Sequence, residues 1–499
     1  MMQQSRVLHY AIGVALTLFL VGCAPTIKDR LEETQFYAEN KPAETAAWFR
    51  TNSAPLSLQT CRALAHQRTL KLTQSELEAR LAQLTSTAAF SAFLPQVEAT
   101  YQRSGTNHDI KVKLDSFGGM SAQMQDRWVS QAGITISQPV FAPNAWLLWA
   151  AARHGSAYQS LIAERNRQML DIQVATLFYD AAVASNQIAT YEAQVKASGE
   201  LLRQVQQLAA EGMALRAESL RAEAYHKSDL YNLQVARDNA QAAKMNLLDI
   251  LNFYPLSAEA TTVDGASLLT MHELPWALTD ADGQWVPVSR EAALEAPLEE
   301  WLWSALVHRR EMWAADRAIV LRKVEALSAL ANFLPTLSVM GGGAYTSNSS
   351  SLPHRYLTGG IGGVLSIFDG LQSIAQYLQA REQEEAAMLL REDAANTLMV
   401  TVWQAWTNVR QTRDRKAVAE ARMVAADADY EETVARYQQG RETFKEVLDR
   451  YAMCEQARLD ALSAVYADAL AEVVFRDAVG LGWGDAVVLP DAAMNQKED

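Results

Sequence analysis

Few residues of this chain are spaced for chemistry. His272-Glu273-Leu274-Pro275 begins like a zinc-protease helix, but no second His follows, and Pro275 would break the helix that has to carry both ligands. Gly341-Gly342-Gly343 and Gly359-Gly360-Ile361-Gly362-Gly363 are glycine-rich. They lie in segments with a period of two and do not open helices, so they lack the order that cradles phosphate. Close backbone approach within a sheet accounts for them. The eight His residues do not group at metal-ligand spacing. Trp301, Trp303, Trp313, Trp403 and Trp406 fall in helical segments and read as packing residues. No catalytic constellation and no cofactor follows from these residues, and the chain is read as a non-enzyme. A net charge of −14 argues against nucleic acid as a partner.

The N-terminus points to an address. Arg6 precedes an apolar run, Val7 to Val21, of roughly 15 residues, which suits a signal h-region and is short for a membrane-spanning helix. The run closes on Leu20-Val21-Gly22-Cys23, which resembles a bacterial lipobox. That resemblance implies a signal peptide over 1–22, cleavage before Cys23, acylation of its sulfur, and, with Ala24 where Asp would retain the protein, release to the outer membrane. The competing reading is a plain secretory signal with an incidental cysteine. Residues 23–57 are mixed and Pro-punctuated and are expected to be an extended lead. Cys61 and Cys454 fall in different predicted helices of different repeats and are expected to be free thiols.

The elements between these ends occur twice. Ala92–Tyr101 (AFLPQVEATY) matches Asn332–Gly341 (NFLPTLSVMG), and Ser137–Pro143 (SQPVFAP) matches Leu365–Gly370 (LSIFDG). Pro95 maps to Pro335 (335 − 95 = 240), Phe141 to Phe368 (368 − 141 = 227), and Leu220 to Leu448 and Asn252 to Gly480 (228 each). The offset changes only between the two members of each strand pair, where a loop can change length cheaply. A repeat of this size sets the architecture before any single residue does.

Each repeat is predicted to hold a helix, a strand pair and two more helices. The first spans 58–252, with the helix Leu58–Ser91, strands within 94–140 and helices 144–210 and 213–251. The second spans 298–481, with strands within 335–368 and helices 370–439 and 441–479. Val97, Ala99 and Tyr101 alternate with Gln96, Glu98, Thr100 and Gln102, and Leu357, Gly359, Ile361, Gly363, Leu365 and Ile367 share one side of a return strand. A polar loop is expected around Ser104–Gln125. Strands of about ten residues with one apolar side are what an outer-membrane β-barrel requires. The helices carry a heptad seam: Leu177, Ala181, Ala184, Ile188, Tyr191, Val195, Ser198, Leu202, Val205 and Ala209 are spaced 4,3,4,3,4,3,4,3,4. Leu233, Ala236, Ala240, Ala243, Leu247 and Ile250 continue it after the turn at Gly212, as do Leu459, Leu462, Tyr466, Ala469 and Val473 after the turn at Gly440. Residues 253–297 are Pro- and acid-rich and read as a linker, and 482–499 as a disordered tail. With 49% hydrophobic and 20% charged residues the chain has the composition of a folded protein, and no later stretch approaches 18 consecutive apolar residues.

The strand starts Leu94-Pro95 and Leu334-Pro335, the strand ends SQPVF and LSIFDG, and the helix turns Ala209–Glu223 (AAEGMALRAESLRAE) and Tyr437–Asp449 (YQQGRETFKEVLD) resemble those of the TolC-like outer-membrane efflux proteins. The resemblance covers Leu58 to Gly480 apart from the linker. It implies a mainly α fold with a membrane β-barrel portion: two repeats, each a β-hairpin plus long coiled-coil helices, forming a trimeric 12-stranded β-barrel continued by a periplasmic α-helical barrel. Physical reasoning agrees, because four strands per chain cannot close a barrel and open edges are not tolerated in lipid. The resemblance also implies partners: a homotrimer in outer-membrane lipid, a periplasmic adaptor (membrane fusion) protein contacting the helix-turn tips at Gly212 and Gly440, and an inner-membrane transporter. It places carboxylates just after the second turn glycine, where the tunnel narrows. Counting from Gly440 gives Glu446 and Asp449, and Glu218, the first-repeat counterpart of Glu446 (446 − 228 = 218), is the third expected aperture acid, while Asp449 maps to Arg221. Rings of acids favour cations. Ser366 stands where the family often has Pro, which Pro139 keeps, and Asn252 replaces the Gly that ends the repeat. The expected function is an outer-membrane duct of a tripartite export system, localised to the outer membrane with a long periplasmic extension. The alternatives are a type I protein-secretion duct and a pore-less periplasmic coiled-coil lipoprotein.

Overall fold

The computed structural model describes residues 27–51, 56–114, 120–253, 262–263, 266–267 and 296–481. Cys23, the signal segment, most of the linker and the tail lie outside the described residues. The chain divides into two units: 1–69, 174–286 and 422–463 form the first, and 70–173, 287–421 and 464–499 the second. In chain order the elements are α1 (Ile27–Thr51), α2 (Leu58–Arg68), α3 (Leu70–Phe90), β1 (Gln96–Gly105), β2 (Ile110–Leu114), β3 (Met120–Gln125), β4 (Trp128–Phe141), α4 (Pro143–Ala210), α5 (Arg216–Ile250), β5 (Thr262–Val263), β6 (Ala266–Ser267), α6 (Leu298–His308), α7 (Arg310–Ala331), β7 (Thr336–Thr346), β8 (Arg355–Val364), α8 (Gln372–Gln438) and α9 (Phe444–Ala478). The chain is mostly helical with a few strands, and α4, α8 and α9 contribute to both units.

The second unit holds a four-stranded antiparallel sheet of order β1-β4-β7-β8. Its register pairs Val97 with Ile136, Ile136 with Gly341 and Gly341 with Gly359, so these residues share a face. With period two, that face also carries Ala99, Tyr101, Ala132, Ile134, Leu337, Val339, Leu357 and Ile361. The opposite face carries Gln96, Glu98, Thr100, Gln102, Gln131, Thr135 and Ser137. The glycines let the strands approach closely: a Cβ on Gly342 would stand 2.3 Å from the Ile134 carbonyl oxygen. Pro139, which cannot donate to a ladder, sits where the β4–β7 register shifts. The outer edges of β1 and β8 have no partner strand among the described residues.

Two expectations are corrected here. The polar loop Ser104–Gln125 contains its own hairpin, β2 paired with β3. Ile110, Val112 and Leu114 alternate with Lys111 and Lys113, and Met120, Ala122 and Met124 with Ser121, Gln123 and Gln125, so the period of two is present in the sequence, within a segment whose polar residues and glycines suggest a loop. Within the lead 23–57, expected to be extended, Ile27–Thr51 is a helix. Phe49 is buried and packs with Trp48 on Phe253, at ring centroids of 5.2 and 5.0 Å, a contact that outweighs the discouragement from Pro42.

The helix before each strand pair, predicted as one, is broken. In the first repeat the break is at Thr69, whose N–H bonds the Ala65 carbonyl at 3.0 Å and whose hydroxyl bonds the Ile250 carbonyl at 2.7 Å. In the second it is at Arg309, whose N–H bonds the Ala305 carbonyl at 3.0 Å and whose guanidinium bonds the Asp477 carbonyl at 2.6 Å. The offset, 309 − 69 = 240, equals that between Pro95 and Pro335. In both repeats a side chain at the break thus bonds a carbonyl in the last turn of the return helix, that of Ile250 in the first and that of Asp477, which also accepts from the Gly480 N–H at 2.9 Å, in the second. Arg309 and Arg165 also hold the Asp477 carboxylate, at 2.8 and 2.5 Å, and both reach Glu311.

All four return turns end in one motif. Gly212, Gly440 and Gly480 have φ of 78°, 69° and 80°, and Asn252 has 53°. At each the N–H bonds back three residues and the next N–H bonds back five, as in Gly440 N to the Tyr437 carbonyl (2.9 Å) and Arg441 N to the Arg436 carbonyl (2.9 Å). Asn is the non-glycine residue best able to hold this conformation, which explains its place at 252. The core of the second unit gathers Trp301, Met312, Val402 and Phe475, with Trp301 edge-on to Phe475 at 5.3 Å. The core of the first unit includes Leu201, Val205, Phe444, Val447 and Leu448. Cys61 and Cys454 are buried and unbridged.

Candidate functional site

The candidate site is built on the α4–α5 and α8–α9 turns, both in the first unit. A Cβ on Gly212 or Gly440 would meet nothing within 4 Å, so both tips are open and the glycines serve the backbone alone. The helices that start beyond the tips are capped in complementary ways. At α5 the cap position is Leu215, which has no acceptor. Glu218 therefore reaches back, and its carboxylate accepts from the Leu215 N–H at 3.1 Å. At α9 the equivalent of Leu215 is Thr443 (443 − 228 = 215), and its hydroxyl accepts from the Glu446 N–H at 3.3 Å. Each turn uses one half of a capping box.

The consequence is chemical. Glu446 is released from capping and instead takes Arg450, at 3.1 Å to Nε and 3.0 Å to Nη2. Arg450 also lies 3.8 Å from Asp429. Asp449 is exposed and has no ion pair among the described residues. Glu446 and Asp449 stand one turn apart on α9, as their spacing requires. Glu218 lies near Tyr437, whose hydroxyl is held above its ordinary pKa by burial and by that carboxylate. The tips differ in character. Met213, Leu215 and Leu220 are exposed at the first, whereas Leu448, the counterpart of Leu220, is buried.

Below the second tip lies a group of polar residues absent from the sequence-derived site. The Tyr451 hydroxyl is 3.0 Å from both Asp229 Oδ2 and the Gln194 carbonyl oxygen. Glu455 pairs with Arg458 at 3.0 Å, and Arg458 reaches Asp427 at 3.0 Å. The Cys454 thiol is 2.9 Å from Asp427. The signal was present in the sequence: Leu448, Tyr451, Glu455, Arg458 and Leu462 keep 3,4,3,4 spacing, so polar residues interrupt a seam. On α4 the buried stripe Gln194, Ser198, Leu201 and Val205 keeps Ser198 and Val205 of the predicted seam but takes Gln194 and Leu201 in place of Tyr191, Val195 and Leu202, which are only half-buried. Gln194 was missed for that reason.

No group of three or more metal-ligating side chains, and no helix long and apolar enough to cross a membrane, occurs among the described residues. Residues 301–481 match the family model described as outer membrane efflux protein. No curated protein matches the chain. Among solved structures the chain is similar to the outer membrane protein VceC of Vibrio cholerae, at 14% identity and a TM-score of 0.69, over 85% of this chain and 96% of that one. It is similar to the Campylobacter jejuni CmeC outer membrane channel, at 15% identity and a TM-score of 0.69, over 88% of each chain. It is also similar to the open state of the Neisseria gonorrhoeae MtrE outer membrane channel, at 19% identity and a TM-score of 0.67, over 85% of this chain and 89% of that one. The second repeat thus resembles the outer membrane efflux proteins in sequence, and the chain as a whole has the TolC-like fold.

Proposed function

We propose that this chain is the outer-membrane duct of a tripartite efflux system. It would work as a homotrimer, anchored through acylated Cys23 and extending its helices into the periplasm. The tips at Gly212 and Gly440 would contact a periplasmic adaptor, which joins the duct to an inner-membrane transporter. Glu446 and Asp449 would line the periplasmic aperture. The matched family and the channels of like fold support this reading.

The observation that carries it is the sheet. One face is apolar, the other largely polar or small, and neither edge strand has a further partner among the described residues. An isolated sheet of this kind is unstable in water and intolerable in lipid. Three copies would supply twelve strands and abolish the edges. The ten residues of β1, at ~3.4 Å each and tilted about 40°, rise about 26 Å, which matches an apolar band of about 25 Å. Aromatic residues mark both ends of that band. At one end Trp128 takes Arg103 at 5.5 Å and Tyr345 takes Arg355 at 6.0 Å. At the other, Phe93 stacks on Trp146 at 4.1 Å. Such girdles suit the two membrane interfaces. Duct and pore-less lipoprotein are separated by purifying the protein from outer membranes. The duct gives heat-modifiable trimer bands and ion conductance in planar bilayers, and palmitate labelling that Cys23→Ser abolishes while the trimer persists. A monomeric protein without conductance would refute the proposal.

A further inference from the structure

We propose that Glu455 is a proton-binding site that sets how tightly α9 packs against α4, α5 and α8 below the second helix turn. Three carboxylates converge there: Asp229 from α5, Asp427 from α8 and Glu455 from α9. Among the described residues the only ion pairs to them come from Arg458. The other groups facing the cluster are neutral: Gln194 from α4, Tyr430 from α8, and Tyr451 and Cys454 from α9. His226, one turn before Asp229, is 3.1 Å from Ser198, to which it is bonded. With every carboxyl ionised the cluster would hold three negative charges against one positive. Coulomb repulsion at low dielectric opposes that state.

Geometry says where the proton goes. Asp427 is part-exposed and has Arg458 and the Cys454 thiol as donors. Asp229 accepts from the Tyr451 hydroxyl. Glu455 is 8% exposed, and Arg458 engages only its Oε1. Its Oε2 is sealed from solvent and has no partner at full hydrogen-bond geometry, the Gln194 amide being the neutral donor that faces the carboxyl. A buried anionic oxygen with no charged donor is expensive, whereas a protonated one is a neutral donor beside carboxylate and amide acceptors. Burial pushes the Glu455 carboxyl up to about 7, with Arg458 and Gln194 pulling down and Asp229 and Asp427 adding to the rise.

The sign follows from linkage. The unfolded carboxyl titrates near 4.5 and the folded one near 7. Below both values the two states bind the proton equally and there is no penalty. As pH rises from about 4.5 to about 7 the packed state alone retains it, so packing weakens with pH across that window and stays weak above it. Local opening of α9 grows by about tenfold between about pH 6 and 8 on these two values. Tyr451 is two residues from Asp449 on the same helix, so the loosened segment adjoins the proposed aperture; that link, unlike the proton site, rests on the duct reading.

The test uses the full-length purified protein. Its infrared spectrum at about pH 6 should show a buried protonated-carboxyl stretch that Glu455→Gln removes. Amide exchange in 444–463, corrected for intrinsic rates, should speed up about tenfold from about pH 6 to 8 in the natural protein and stay flat in Glu455→Gln. Asp449→Asn should keep the natural pH dependence. A band that persists in Glu455→Gln, or exchange with the same pH dependence in both proteins, would overturn the proposal. Neither readout requires conduction, so failure of the duct reading and failure of the proton site are told apart.

Discussion

Replacing Gly480 with Ala tests whether the end of α9 is locked onto the α6–α7 break. Two effects add. At φ of 80° an L side chain costs about 1–2 kcal/mol in backbone strain. The new Cβ would also stand 3.1 Å from the Arg309 nitrogen and the His308 Cβ and 3.2 Å from the His308 carbonyl carbon. Arg309 cannot yield easily, because its N–H is bonded to Ala305 and its guanidinium to Asp477. Overpacking of this kind adds about 1–3 kcal/mol. Gly440→Ala is the control: its φ is 69° and its Cβ meets nothing within 4 Å, so only the first effect applies. Asn252→Gly relieves strain but loses an amide bond to the Arg68 carbonyl at 3.2 Å, so its two contributions nearly cancel. In opening rates of the adjoining helix turn, read by amide exchange, a total near 3 kcal/mol is about a hundredfold for Gly480→Ala. A loss near 1 kcal/mol is about fivefold for Gly440→Ala, and Asn252→Gly should stay within about twofold. Equal effects at Gly440 and Gly480 would refute the claimed lock.

Asp449→Asn is expected to lower cation preference severalfold at about 0.15 M salt and hardly at all at about 1 M, where the Debye length is ~3 Å. Unchanged reversal potentials at low salt would remove Asp449 from the pore. Glu446→Gln frees Arg450 from its 3.0 Å partner, so it should reduce block by multivalent cations and also change the shape of the salt dependence, because a guanidinium is left near Asp429. Glu218→Ala removes the donor pairing at the Leu215 N–H and should destabilise the start of α5 by about 1 kcal/mol, seen as faster exchange there, with selectivity unchanged.

The parts of the fold legible in the sequence are those where one local rule dictates the residue. The sheet strands declare themselves because one face is apolar, and the turn glycines because the backbone there needs positive φ. The breaks at Thr69 and Arg309 were invisible, since no Pro or Gly marks them. The chain around Thr69 (Leu64-Ala65-His66-Gln67-Arg68) is good helix sequence, and the interruption is imposed by carbonyls at Ile250 and Asp477, about 170–180 residues away in the chain. The proposed aperture acids came from position relative to Gly440, but which of them is neutralised did not. Arg450 is one turn beyond Glu446, and only its observed rotamer shows that it pairs with Glu446 and leaves Asp449 alone. Glu455 was passed over because an acid in a charged helix reads as solvated, and its burial depends on three other helices.

The two repeats show how such a site can arise on a duplicated frame. Positions fixed by the backbone have kept their roles: Gly212 and Gly440 hold the same turn, and Asn252 and Gly480 the same cap. Positions that need only some donor or acceptor have diverged. Thr69 and Arg309 both bind a terminal carbonyl, one with a hydroxyl and one with a guanidinium. Leu215 and Thr443 occupy the same cap position, and the difference decides the fate of the acid three residues on. In the first repeat Glu218 is needed to satisfy the helix start, so its charge is committed to structure. In the second the Thr443 hydroxyl does that work, and Glu446 is free to join Arg450 and stand beside Asp449. The first tip correspondingly presents Met213, Leu215 and Leu220, and the second a set of charges. One threonine-for-leucine difference at a cap therefore decides whether the acid three residues on is committed to the helix start or free to pair with Arg450, and the tip where it is free is the one with a titratable cluster packed beneath it.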